Sequence, residues 1–273
     1  MLPSTLSGAT RLVPIIAWPV DHVRAPRTYN PAFAAAGLDW CQVPMGVHPD
    51  HLAGVLTQLA HVSNLQGINL TIPHKPQAFR LCKWLTREAA RTRMVNTLRL
   101  HADGSWAGTN SDGAGFLGAA REHGILDTAK PVAIVGSGGA GTAIAFALAD
   151  AGVREIHVCD LDSARAEQLV RSLRTAFAGI EATTRRDALP CAGLAVNATP
   201  LGLHPAQDLP FDPALLRDDA AVFDINAARD TELVAAAKAR GLRALGGRPM
   251  VEHQLATQIA FWRGDPVPLE PHA

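Results

Sequence analysis

Short apolar runs with strand character recur along the chain at LVPIIA (12–17), WCQVPMG (40–46), PVAIV (131–135) and EIHVC (155–159). Between them, apolar positions fall at helical spacing over 49–62, 112–123, 140–151, 162–174, 230–240 and 249–263, with Gly152 and Gly241 where C-terminal caps would sit. The alternation predicts an α/β architecture of parallel sheets with crossover helices. A further strand is expected in GINLTIPHK (67–75). There Leu70 and Ile72 suit a half-buried pleat, Pro73 cannot donate to a ladder, and the strand should stop and deliver Lys75 at its end. The turn-rich GTNSDGAG (108–115) marks a domain junction, and Gly246, Gly247 and Pro249 interrupt the pattern again before a last amphipathic helix. The expected organisation is a domain of 1–111 completed by 248–273, and a second domain of 112–247.

Two domains suit 273 residues of which 48% are hydrophobic. The 25 basic and 25 acidic side chains give a formal net charge of +0, so no global field points to nucleic acid or membranes, and a small-molecule partner fits better. Cys41, Cys82, Cys159 and Cys191 lie far apart without a Cys-x-x-Cys pair, which argues against a zinc ribbon or disulfide framework. His48 and His51 in HPDH lack a third ligand, and Asp50 reads better as a helix N-terminal residue, so no metal is expected. The chain shows no secretory leader and no apolar run long enough to cross a bilayer, so a cytoplasmic protein, monomer or homodimer, is the expectation.

The strongest local signal follows PVAIV. GSGGAG (136–141) places Gly136, Gly138 and Gly141 in the G-x-G-x-x-G spacing, with Gly139 and Ala140 between, and a helical pattern follows. Gly136 permits the tight turn, Gly138 lets backbone approach a pyrophosphate, and Gly141 allows close helix–strand packing at a helix N-terminus that favours negative charge. Asp160, ending the next strand, stands near the spacing at which a carboxylate accepts from the adenosine 2′-hydroxyl and repels a 2′-phosphate. With Leu161 offering no cation, and Arg165 the residue that could compensate by folding back, the loop CDLDSAR predicts NAD preferred over NADP.

GINLTIPHK, VNTL (95–98), GTNSDG (108–113), GSGGAG, NATPLG (197–202) and MVEHQ (250–254) occur in the order and spacing of the shikimate dehydrogenase family, which the chain resembles over almost its whole length. The resemblance implies an N-terminal α/β domain that binds a cyclic polyhydroxy acid, a Rossmann domain that binds the nicotinamide cofactor, and a last helix returning to the first domain. By the same resemblance Lys75 and Asp112 look like the catalytic pair, Thr71, Asn96 and Gln254 hold ring hydroxyls, and Asn197, Thr199 and Gly202 lie beside the nicotinamide. Oxidising a secondary alcohol requires loss of the hydroxyl proton as hydride leaves, and a lysine tuned by burial and by a nearby carboxylate can take it.

Two departures stand out. In AWPVDHVRAP (17–26), Val23 and Ala25 occupy the places of two serines that in the family bind the substrate carboxylate. Losing two hydrogen bonds to a charged group removes roughly 3–6 kcal/mol, on the order of two to four decades of affinity. Alternation along an extended segment would point Arg24 away from Val23 and Ala25 and so argues against its replacing them. In DINAARD (224–230), Asn226 and Ala227 stand where the family usually carries a tyrosine. The expected activity is NAD-dependent oxidation of a secondary ring alcohol, shikimate- or quinate-like, in an altered pocket. The alternatives are an ordinary shikimate dehydrogenase and a non-catalytic NAD-binding sensor.

Overall fold

The computed structural model describes residues 6–185, 187–204, 208–227 and 230–272. These divide into two compact units, residues 1–111 with 255–273, and 112–254.

The first unit contains β1 (Arg11–Ala17), α1 (Pro26–Ala35), β2 (Trp40–Gly46), α2 (Leu52–Leu59), β3 (Ile68–Leu70), α3 (Lys75–Leu81), β4 (Trp84–Leu85), α4 (Arg87–Thr92), β5 (Thr97–Leu100) and β6 (Trp106–Thr109). The second contains α5 (Asp112–Glu122), β7 (Val132–Val135), α6 (Gly139–Asp150), β8 (Glu155–Cys159), α7 (Ser163–Ala176), β9 (Glu181–Thr183), β10 (Leu194–Asn197), β11 (Ala221–Asp224), α8 (Glu232–Ala239) and β12 (Arg243–Leu245). The helix α9 (Arg248–Arg263) begins in the second unit and ends in the first, where β13 (Glu270–Pro271) follows. The division therefore falls inside α9, after Gln254, rather than at the expected 247.

The second sheet runs β12-β11-β10-β7-β8-β9, with every neighbouring pair parallel among the described residues. From β7 the chain builds outward through β8 and β9, then returns to β10 on the other side. The strand order thus reverses between β7 and β10, the switch point at which ligands settle beyond the carboxyl ends of the strands of open α/β sheets. Strands buried on both faces explain the unbroken apolar runs, with Val132, Ala133 and Ile134 all inaccessible or nearly so. Gly152 (φ +99°) and Gly241 (φ +82°) follow the last turns of α6 and α8 in the left-handed conformation, where the capping pattern placed them.

The first sheet, β13-β4-β6-β5-β3-β1-β2, departs from the parallel expectation. β1 pairs in parallel with β2 and β3, as β4 does with β6, but β5 is antiparallel to β3 and β6, and β13 to β4. The connection 101–105 leaves no room for a crossover helix, so β5 and β6 form a hairpin, with Asp103 accepting from Ser105 N and Oγ across the turn. The end of α9 is anchored in this unit by Trp262. Its ring lies 6.2–6.5 Å from those of Tyr29, Phe33 and Trp40, and its Nε1 donates to the Leu98 carbonyl at 3.2 Å.

Candidate active site

In the first unit, the carboxyl ends of β1 and β3 gather the sequence-predicted residues. β3 stops at Leu70, and Ile72 is 57% exposed rather than half-buried as expected, because the chain has already left the ladder. Lys75 does not trail a strand; it is the first residue of α3, with Pro76 behind it at a position a helix tolerates. Its carbonyl accepts from Val95 N at 3.1 Å, which ties the head of α3 to the turn carrying Asn96. Asn96 is buried, and its Oδ1 accepts from Thr97 Oγ1 (2.8 Å), Ser111 N (3.1 Å) and Ser111 Oγ (3.2 Å), so the amide orientation is set by three donors. Thr71 is half-buried, with its N–H on the Ile16 carbonyl at 3.0 Å. His74 is buried, and that burial lowers its pKa, offset in part by the nearby carbonyls of Ala17 and Val47.

The 18–25 segment is not extended. It turns at Asp21–His22, and Ala25 is already helical (φ −50°, ψ −39°) ahead of Pro26 in α1, so strand alternation says nothing about where Arg24 points. The Arg24 guanidinium, exposed, donates to the Asp21 and Val23 carbonyls of its own turn. Val23 and Ala25 are half-buried.

In the second unit, Asp112 opens α5, is 4% exposed, and accepts from Gln254 Nε2 at 3.1 Å. Gly115 makes that approach possible: a Cβ there would lie 2.4 Å from Gln254 Cγ and 2.7 Å from the Met250 carbonyl, so α9 could not come so close to α5.

The glycine loop fits a pyrophosphate on its own geometry. Gly136 sits at φ +102° against the Ala198 carbonyl, and a Cβ on Gly141 would stand 2.0 Å from Gly136 O. A Cβ on Gly138 would meet open space, and no side chain caps α6 there. The first-turn N–H groups of Gly139, Ala140 and Gly141 face out of the helix end, ready for an anion. Asp160 accepts from Ser137 N (2.6 Å) and Oγ (2.7 Å) at one oxygen and from Asp162 N (2.9 Å) at the other. Burial alone would raise its carboxyl, but these hydrogen bonds, with Arg165 nearby, outweigh it and hold Asp160 below the usual carboxylate range. Three of about four acceptor sites are then filled, which leaves one for a ribose hydroxyl. Arg165, 3.5 Å from Asp162, is engaged beside Asp160 rather than remote from it. Ser137 is a partner that sequence reasoning missed, since only the fold brings it to Asp160.

Across the switch point, 197–202 is held by a buried polar network. Asn197 Nδ2 donates to Asp224 Oδ1 and to the Leu201 carbonyl, both at 3.0 Å, and its Oδ1 receives Thr199 N (3.0 Å) and Oγ1 (2.7 Å). Asp224, wholly buried, also accepts from Asn226 N (3.0 Å) and Thr231 Oγ1 (2.7 Å); burial raises its pKa, and these donors offset that in part. Gly202 completes the loop at φ +97°. Asp224 and Thr231 carried no mark in the sequence beyond a carboxylate at the end of an apolar run.

The fold and the two loops define a pyridine nucleotide-dependent oxidoreductase. The shikimate dehydrogenase substrate binding domain matches residues 15–98. The chain is 39% identical over 260 residues to shikimate dehydrogenase (NADP(+)) of Acidiphilium cryptum, covering 95% of this chain and 92% of that one. Among solved structures, quinate dehydrogenase of Corynebacterium glutamicum in complex with NAD is similar at 29% identity with a TM-score of 0.82, covering 96% of this chain and 95% of that one. The ligand-free 5-ketofructose reductase of Gluconobacter sp. is similar at 25% with a TM-score of 0.83, covering 95% of each. The chain belongs to the shikimate dehydrogenase family, whose members are dehydrogenases acting on a CH–OH group with NAD(P).

Proposed function

We propose that this protein is an NAD-preferring dehydrogenase that reversibly oxidises a secondary alcohol of a polyhydroxylated substrate lacking a carboxylate at the end that meets residues 23–25. The observation that carries the reading is the pair Val23 and Ala25, with no hydroxyl, in a turn whose arginine is bonded to its own backbone carbonyls. A carboxylate docked there would give up hydration without gaining those donors. The likeness to a reductase of a neutral keto sugar supports this class of substrate. Preference for NAD rests on Asp160, held as an anion, with Leu161 fully exposed and Arg165 engaged by Asp162. It runs against the NADP(+) in the names of the curated relatives, and agrees with the NAD complex of the quinate dehydrogenase.

The roles follow the chemistry. A nicotinamide cofactor, when bound, would supply the hydride acceptor for the carbinol carbon. Lys75 takes the hydroxyl proton in oxidation and returns it in reduction, Asp112 is the carboxylate of the pair, and Thr71, Asn96 and Gln254 orient the remaining hydroxyls. Gly136 to Gly141 cradle the pyrophosphate, and Asn197, Thr199 and Gly202 line the nicotinamide.

The test is reduction of NAD and of NADP by purified protein with shikimate, quinate and carboxylate-free ring or chain polyols, with Lys75→Ala as control. Turnover of a neutral polyol with NAD, lost in the control, is the expected result. Equal or better turnover of shikimate with NADP would replace this reading with that of an ordinary shikimate dehydrogenase, which the curated relatives' names favour.

A further inference from the structure

Asn226 is 6% exposed, and its carboxamide donates to two carbonyls of the 197–202 loop, Leu201 O at 2.8 Å and Thr199 O at 3.4 Å. Its own backbone is held at both ends: Asn226 N donates to Asp224 Oδ1, and its carbonyl accepts from Gly247 N at 3.1 Å. The side chain therefore springs from a fixed point and closes over the loop. Leu201 O receives a second amide, from Asn197 at 3.0 Å, so two carboxamides converge on one carbonyl. Inside the loop Ala198 N is spent on Val135 O, Thr199 N on Asn197 Oδ1 and Leu201 N on Thr199 Oγ1. Ala198 and Thr199 in turn lie against Gly136, where a Cβ would come within 2.8–2.9 Å of them, but Ala198 is pinned there by its own N–H on Val135 O and not by Asn226.

We propose that Asn226 is a positioning residue for the nicotinamide half of the cofactor. Its carboxamide latches the 197–202 loop, a device this chain has at a place where the family usually carries a tyrosine. The proposal rests on the reading that this loop borders the nicotinamide. A preformed loop binds without first being ordered, and a hydride donor and acceptor held in register react faster than ones that wander. The adenosine end, held by the glycine loop and Asp160, is outside the reach of this latch. Loss of the carboxamide should therefore split the two halves of the cofactor.

The experiment uses Asn226→Leu, branched at the same carbon but without donors, and Asn226→Asp, near in shape but turning a carboxylate oxygen toward two carbonyls. NADH binding is followed by nicotinamide fluorescence, and ADP-ribose, which lacks the nicotinamide, is bound in competition. The expected result is a loss of about tenfold in NADH affinity for the leucine variant and a larger one for the aspartate, with ADP-ribose affinity within about twofold of wild type. Retained ADP-ribose binding also reports an intact fold. NADH affinity unchanged in both variants would overturn the latch, as would a parallel fall in NADH and ADP-ribose. A wild-type protein that binds NADH no more tightly than ADP-ribose, with nicotinamide fluorescence unchanged, would instead overturn the placement of the nicotinamide at this loop, and the latch with it.

Discussion

At Asp160 a single carboxylate fastens the glycine loop through Ser137 N and Oγ, and on the proposed reading the same carboxylate selects NAD. Asp160→Ser is expected to cut NAD efficiency by about 10- to 100-fold, the worth of one hydrogen bond to a charged group, and to leave NADP efficiency unchanged or raised. Steady-state rates with both cofactors decide it. Asp224 has the opposite sign. Its folded pKa lies above the unfolded value near 3.9, so the native state binds that proton more tightly, and the stability linked to it falls as pH rises from about 3.9 through the folded value. Urea unfolding of wild type and Asp224→Asn should therefore show the wild type gaining relative to the variant as pH is lowered from 7 toward 4. A difference constant with pH would mean that Asp224 is not titrating in this way.

Among elements, the strand–loop–helix of β7 and α6 separates two kinds of glycine that a sequence pattern treats alike. Gly141→Ala drives a methyl against Gly136 O and should cost about 1–3 kcal/mol in urea unfolding, by overpacking. Gly138→Ala meets open space at φ −70°, so it should leave stability within about 0.5 kcal/mol while weakening dinucleotide binding by steric exclusion of the pyrophosphate. A Gly138→Ala protein that binds NAD as wild type would remove the pyrophosphate from this helix end. The need for glycine at 136 and 141 was legible because it is a local demand for backbone without a side chain. The head of α3 was not: in PHK a proline two residues before Lys75 reads as a strand terminator, and only the structure shows a helix turning there, with Ala78 N on the His74 carbonyl. The same holds for 21–25, where a turn into α1 replaced the extended segment.

On the scale of the whole molecule, NAD at about 100 times its Kd adds about 2.7 kcal/mol to the stability of the unit that binds it, which for a unit of this size raises the melting temperature by about 5–10 °C. Equal concentrations of NADP should give a smaller shift, and the reverse order would sink the proposed preference. Among the described residues no helix is long and apolar enough to cross a membrane. What the sequence by itself determined was whatever depends on near neighbours: the alternation of strands and helices, the caps at Gly152 and Gly241, the glycine loop, and the ordered motifs that mark the family. What only the tertiary structure decided was whatever joins distant residues. Gln254 reaches Asp112 across 142 positions because Gly115 lets two helices touch, and Ser137 finds Asp160 because β7 and β8 lie side by side. The first sheet is mixed because a short hairpin interrupts it, and Asn226 lies over the 197–202 loop because β10 and β11 are adjacent in register. Periodicity encodes which face of an element is buried, but not which partner covers it, and the polar contacts that orient a site are set by that partner.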